Sequence, residues 1–240
     1  MISSVWNFLL YHPLLNILAL LVFIIPGNNV GAAIVLLTIL VKIILFPLSR
    51  RSIEGQAKMN KLAPELRKIK ESGKGKDEQA RLTLELYKKN KANPFSGCLL
   101  LIIQIPIIFA LYWVFYKGIN FDPALLYSFV PSPGVPHMLF LGINLAARSL
   151  ALAVLAGASQ YLQAHFMPRP AATLEETGSL SDSFAKSMRF QMKYFFPVMV
   201  AFIAYSISGA VALYWITSNI ISTLQQIYLN KKAEKDTLIT

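Results

Sequence analysis

Cysteine, histidine and charge are all scarce in this 240-residue chain, and each shortage excludes a class of function. The single cysteine, Cys98, allows no internal disulfide framework and no cysteine-clustered zinc or iron–sulfur site. It is read as a packing residue. His12, His137 and His165 are scattered, and no serine sits in a recognised nucleophile context, so no catalytic constellation is evident. The phosphate-cradling pattern GxxxxGK[ST] is missing too. The expectation is therefore a protein that is not an enzyme and that needs no cofactor or metal. Charged residues make up only 15% of the chain, against about a quarter in soluble domains. Met1 to Ile25 carry none at all, so the basic leading region of a secretory signal is absent.

What fills the chain instead is apolar sequence, 55% of residues, with a net charge of +11. At ~20 residues per crossing, such a chain suits a polytopic all-α membrane protein of about five helices plus one polar insertion. The first clear span covers 30–49, ending at Ser49-Arg50-Arg51. The second, 94–117, opens at Asn93-Pro94, where proline in a first turn suits a helix start. The third, 148–168, stops at Pro168, and the fourth and fifth share 190–229 as a tight hairpin about Gly209-Ala210. Leu14 to Ile25 is chiefly apolar but short, and Pro13 separates it from Met1 to His12. The region 1–29 is read as a helix at the membrane interface, with a sixth crossing as the alternative.

Lysine and arginine set the orientation. Between Arg50 and Lys91 there are thirteen basic residues against six acids, so the segment 50–93 is expected in the cytoplasm. The loop 118–147 then lies outside, with the amino terminus, while the loop 169–189 and the tail 230–240 lie inside. Within 50–93, Met59, Leu62, Leu66 and Ile69 recur at helical steps, Gly73 and Gly75 interrupt, and Leu82, Leu86 and Tyr87 resume. Two antiparallel helices are predicted. Their cations, among them Arg67, Lys68, Lys70, Lys74 and Lys76, read either as a solvated or lipid-facing surface or as a docking arm for an acidic partner. No aromatics are interleaved for base stacking, which argues against sequence-specific nucleic-acid binding.

One basic residue does not serve orientation. Lys42 lies inside the first span, eight residues before Arg50, which puts it about 12 Å from the end of a straight helix at ~1.5 Å per residue. Such charges face a bundle interior or water, or else snorkel. No acid occurs inside any span to pair with it. Thr38 shares its helical face, and Gln104, Gln160, Gln163, Thr217, Ser218, Asn219, Ser222 and Gln225 supply further polar groups on other spans. Singly these are interhelical hydrogen bonds; together with Lys42 they predict a polar groove. The second and fourth spans are nearly all apolar, and Leu101, Ile105, Ile108, Val198 and Phe202 are candidates for a hydrophobic slide.

Several ordered motifs now accumulate: Thr38-x-x-x-Lys42 running into Phe46-Pro47-Leu48, Met59 to Ile69, and Gln104-x-Pro106-Ile107-x-Phe109-x-Leu111-Tyr112. They close with Phe196-Pro197, then Ser208-Gly209-x-x-x-Leu213-Tyr214-Trp215-x-x-Ser218-Asn219 and Gln225-Gln226. Over roughly Pro13 to Lys232 the chain resembles the YidC/Oxa/Alb membrane protein insertases. The resemblance implies five core helices around a hydrophilic groove open to cytoplasm and lipid but closed outside, with a positive residue, usually arginine, in the first core helix. Lys42 stands there; it keeps the charge and gives up the guanidinium fork. The resemblance further implies a bacterial inner-membrane location, and a client-binding groove of Thr38, Lys42, Gln160, Gln163, Tyr214, Trp215, Ser218 and Asn219. Nascent membrane proteins are the implied clients; the ribosome, targeting factors and a Sec-type translocon are possible partners alongside the lipid bilayer. The form resembles the minimal bacterial ones, without a large outer domain or an extended basic tail.

The expected function is insertion and folding of inner-membrane proteins. The alternatives are a solute transporter or channel and a structural subunit of a membrane complex. A transporter calls for intramembrane carboxylates, paired broken helices or two similar halves, none of which is found in the sequence.

Overall fold

The computed structural model describes residues 6–93, 96–116, 119, 121–167, 187 and 190–238, without the side chains of 94–103, 116 and 232–238. The packing role of Cys98, the slide role of Leu101 and the loop 169–189 lie outside that description. Nine helices are described: α1 (Asn7–Ile24), α2 (Val30–Ile44), α3 (Phe46–Lys61), α4 (Ala63–Glu71), α5 (Lys76–Lys89), α6 (Ser96–Tyr116), α7 (Leu150–Phe166), α8 (Phe196–Ser206) and α9 (Gly209–Leu238). One two-stranded ladder, β1 (Leu139–Phe140) with β2 (Ile143–Asn144), completes the set. The fold is all-α. Among the described residues only α1 is by itself long and apolar enough to cross a membrane, and α2 with α3 passes the same test as one bent span.

Three prolines explain where the backbone departs from the sequence reading. The span expected over 30–49 is broken at Leu45, where α2 and α3 meet at 61°. Pro47 has no N–H to give the Ile43 carbonyl and its ring crowds the preceding turn, so a new helix starts from Leu45, whose carbonyl accepts from Leu48 and Ser49. Lys42 thus sits in the last turn of α2 and not 12 Å up a straight helix. Pro13, expected to separate two segments, instead lies within continuous α1. The turn before it, Asn7–Tyr11, is wound as a π-helix, and His12 N–H reaches back five residues to the Asn7 carbonyl. The wider turn accommodates the proline ring. The same device precedes Pro197: Gln191–Phe195 is a π turn closed by Phe196 N–H on the Gln191 carbonyl.

The core lies between Leu18, Ala19 and Val22 of α1, Ala33, Ile34 and Leu37 of α2, Ala110, Leu111 and Val114 of α6, and their counterparts on α7, α8 and α9. Small residues set the closest approaches. A Cβ on Gly157 of α7 would lie 2.9 Å from the Ala201 Cβ and 3.0 Å from the Pro197 carbonyl oxygen of α8. α7 packs against both α8 and α9, and α8 joins α9 through the two residues Ile207 and Ser208.

The segment 121–147 covers one end of this bundle. Val30 N–H donates to the His137 carbonyl, His137 N–H to Asn28, Gly209 N–H to Ala147 and Ala210 N–H to Leu145. Asn16, the one amide in the apolar part of α1, is buried; it accepts from Tyr127 N–H at 2.6 Å and donates to the carbonyls of Leu125 and His12. Trp6 and Asn7 share a cavity of about 300 Å³ with Trp113, near the end of α6, and Leu125. Both halves of α1 therefore stay beside the covering segment, at the end of the bundle where α2 begins and α6 finishes. A smaller, separate cluster of Leu62, Leu66 and Ala92, packed by Met59, Leu86 and Tyr87, holds α4 and α5 together as the predicted hairpin.

Candidate functional site

At the opposite end of α2 from the covering segment, three helices bring polar side chains together. Lys42 Nζ donates to Ser222 Oγ of α9 at 2.8 Å and to Gln104 Oε1 of α6 at 3.4 Å. Gln104 Nε2 donates in turn to the Tyr214 hydroxyl of α9 at 2.6 Å. Gln225 Nε2 donates to the Lys42 backbone carbonyl at 3.4 Å, one of the acceptors that the end of α2 leaves without an intrahelical partner. The position also suits the cation electrostatically, because the carbonyl end of a helix carries partial negative charge.

These neighbours are neutral. The ammonium is solvated by side-chain oxygens, and among the described residues no carboxylate pairs with it. Lys42 and Gln104 are half-buried, and Tyr214 is buried. Gln104, Ser222 and Gln225, expected from the sequence among the polar groups around Lys42, all bond to it. For the two on α9 the signal is helical register. Tyr214, Ser218, Ser222 and Gln225 recur at steps of four, four and three, one stripe along α9.

Other expected groove residues fall elsewhere. Thr38, 1% exposed, turns its hydroxyl back to the Ile34 carbonyl of its own helix at 2.7 Å, the local bond that threonine makes in helices. Asn219 is buried and donates to Ser159 Oγ of α7 at 3.1 Å, with Gln160 buried next in sequence to Ser159. Asn219 and Ser159 belong to the contact between α7 and α9, a second polar pair separate from the Lys42 cluster. Ser218 is buried; Gln163 and Trp215 are half-buried. On the outer surfaces of α6 and α8, Ile105, Val198 and Phe202 are exposed, whereas Ile108 packs partly against the core.

The helical hairpin presents a different surface. Arg67, Lys68, Lys70, Lys74 and Lys76 are all exposed. Arg67 pairs with Glu71 at 2.7 Å and Lys74 with Glu78 at 2.9 Å, both one helical turn apart. The hydrogen bond from Lys74, reinforced by its charge, holds the Glu78 carboxyl below its ordinary range. Among the described residues no group of histidine, cysteine, aspartate and glutamate is arranged to hold a metal ion.

Known proteins are similar to this chain in sequence and fold. The family model described as the 60Kd inner membrane protein matches residues 22–236. A protein named membrane protein insertase YidC from Wolinella succinogenes is 34% identical over 208 residues, covering 86% of this chain and 34% of that protein. Its namesake from Laribacter hongkongensis is 35% identical over 210 residues, covering 87% and 34%. The chain thus spans about a third of the length of these relatives. Among solved structures, a crystal structure of an active YidC insertase with its first transmembrane domain resolved superposes with a TM-score of 0.52. It has 25% identity and covers 82% of this chain and 41% of that one.

Proposed function

The chain belongs to the 60Kd inner membrane protein family, and from that membership we propose that it inserts membrane proteins and helps them fold. The observation that carries the reading is the Lys42 cluster: a cation held by neutral acceptors from two other helices, at the end of the bundle away from the covering segment. A client's short polar segment enters this site, attracted by the ammonium and hydrated by Gln104, Ser222 and Gln225. Its apolar segment moves out along the exposed faces of α6 and α8, where Ile105, Val198 and Phe202 meet lipid. Transfer of a leucine-rich helix releases several kcal/mol at ~25 cal/mol per Å², enough to draw a short polar tail behind it without nucleotide hydrolysis.

In this reading α2, α6, α7, α8 and α9 cross the membrane, with the hairpin in the cytoplasm and 121–147 outside. Helix α1 lies at the outer interface, a placement supported by its contacts with 113–133 along both halves. The hairpin cations engage the ribosome or a targeting factor, and a Sec-type translocon is a further partner of the same kind. Asn219 supports the groove wall by bonding to Ser159 of α7, with Thr38 and Gln160 as buried parts of that wall; Gln163, Trp215 and Ser218 complete its lining with Tyr214.

The test is a reconstituted insertion assay with clients whose outer segments are acidic. Lys42→Gln is expected to reduce their insertion by several-fold and to spare clients with uncharged outer segments. Equal insertion of both classes at equal reconstitution would remove Lys42 from the mechanism.

A further inference from the structure

The two-stranded ladder in the covering segment has a tip built against backbone preference. Its register pairs Leu139 with Asn144 and Phe140 with Ile143, leaving Leu141 and Gly142 as a two-residue turn. Both have positive φ, +50° and +80°, the pattern of a type I′ turn, which favours asparagine, aspartate or glycine. Gly142 meets that demand. Leu141 does not, because a branched side chain at positive φ is strained against the carbonyl that follows it. The strain is not repaid by packing, since Leu141 is 87% exposed. The base of the ladder, by contrast, is fixed. Asn29 Nδ2 donates to the Leu139 carbonyl, and Phe140 lies so close to Gly31 that any Cβ there would overlap its ring.

Leu141 has company. Val135 of the same segment is 88% exposed and Phe129 76%, Leu139 is exposed at the base of the turn, and Leu150 is exposed at the start of α7. Helix α1, which borders the same segment, turns out Phe8, Leu9, Phe23 and Ile24. The segment 121–147 contains one formal charge, Asp122, and no lysine or arginine. A surface that specifies a protein partner carries a polar rim and charged pairs; here the exposed Asn144 and Arg148 flank the turn with no acid in 123–147 to pair with the cation, and an apolar tip beside a lone cation suits the headgroup boundary of a bilayer. We propose that the Leu141–Gly142 turn is an anchor inserted into the outer leaflet of the bilayer at the boundary between headgroups and acyl chains. Together with α1 it fixes the depth and tilt of the covered end of the bundle. This rests on the membrane orientation given under the proposed function.

The experiment places an environment-sensitive fluorophore on a cysteine at position 141 (Leu141→Cys, with Cys98→Ala) in proteoliposomes of phosphatidylethanolamine and phosphatidylglycerol. A second label at Val198 (Val198→Cys) reports on the bundle. Insertion of the turn predicts blue-shifted emission at 141, quenched by spin-labelled lipids with the label near the headgroup and protected from aqueous iodide. Water-like emission at 141 with a lipid-buried label at 198 would overturn the anchor and leave the membrane reading intact. Water-like emission at both would overturn the membrane reading itself. Blue-shifted emission at 141 that lipid quenchers do not reach would mean contact with protein, and would also overturn the anchor. Leu141→Asn supplies the folding control. It relieves the backbone and is expected to raise thermal stability in detergent while increasing iodide access to a label on the neighbouring exposed strand residue Leu139 (Leu139→Cys).

Discussion

The Lys42 ammonium ends against Ser222 Oγ and Gln104 Oε1, and Gln104 is itself oriented by the Tyr214 hydroxyl. Two of these groups are linked so that neither can be removed alone without leaving the other short of a partner. Gln104→Leu and Tyr214→Phe are each expected to destabilise the bundle by about 1 kcal/mol, the value of one net hydrogen bond, because Tyr214 keeps Ser218 as a second partner. The double variant should cost less than the sum, because each change has already broken the same bond; denaturant or thermal unfolding in detergent measures all three. Lys42→Arg probes the other side of the site. Arginine's fork reaches two acceptors at once, so insertion of clients with acidic segments should be retained or improved, in contrast to the loss expected for Lys42→Gln. At this scale the sequence showed the charge, its helix and its lack of an acidic partner. It did not show which neutral groups receive the lysine, since that depends on the rotation of α6 and α9 about their axes, which no single helix encodes. Thr38 illustrates the converse: four residues from Lys42 and on its face, it is satisfied by its own backbone.

Among the elements, the joint between α2 and α3 decides where Lys42 points. Hydropathy runs unbroken through Phe46-Pro47-Leu48, which is why the sequence reads as one span to residue 49, whereas the missing N–H of Pro47 ends α2 at Ile44. Pro47→Ala restores the donor and allows the two helices to straighten, carrying α3 away from α6 and α9. Spin labels at the exposed positions Leu36 and Lys58 should report a longer distance in the alanine variant, and the insertion of acidic clients should fall with it. An unchanged distance would assign the bend to packing and not to proline. The contact of α7 with α8 is set by a different rule. Gly157 admits the Pro197 carbonyl and Ala201 at distances no side chain tolerates, so Gly157→Val is expected to cost about 1–3 kcal/mol through overpacking. A midpoint of unfolding unchanged from the parent would mean that α8 slides freely on α7.

At the scale of the molecule, the described residues form two separate hydrophobic clusters, one in the bundle and one in the hairpin. The periodicity of Met59, Leu62, Leu66, Leu86 and Tyr87 made the second legible from sequence because each hairpin helix is amphipathic in the ordinary soluble sense. The bundle helices are apolar on nearly every side, so their arrangement had to come from resemblance and structure. Separate clusters predict separable functions. The hairpin turn at Gly73 to Gly75 places Arg67, Lys68, Lys70, Lys74 and Lys76 in solvent, where pairs such as Arg67 with Glu71 and Lys74 with Glu78 partly offset the charge. Replacing Lys68, Lys70 and Lys76 by glutamine removes three charges and leaves Leu62, Leu66 and Ala92 packed. Binding of translating ribosomes to the reconstituted protein should weaken and lose part of its salt dependence, as attraction between exposed charges is screened over about 8 Å at physiological ionic strength. The unfolding midpoint of the bundle should not move, because no residue of its core is touched. Weakened binding together with a lowered midpoint would show that the two clusters are coupled, and that the hairpin is part of the insertion site's support and not an arm that serves it.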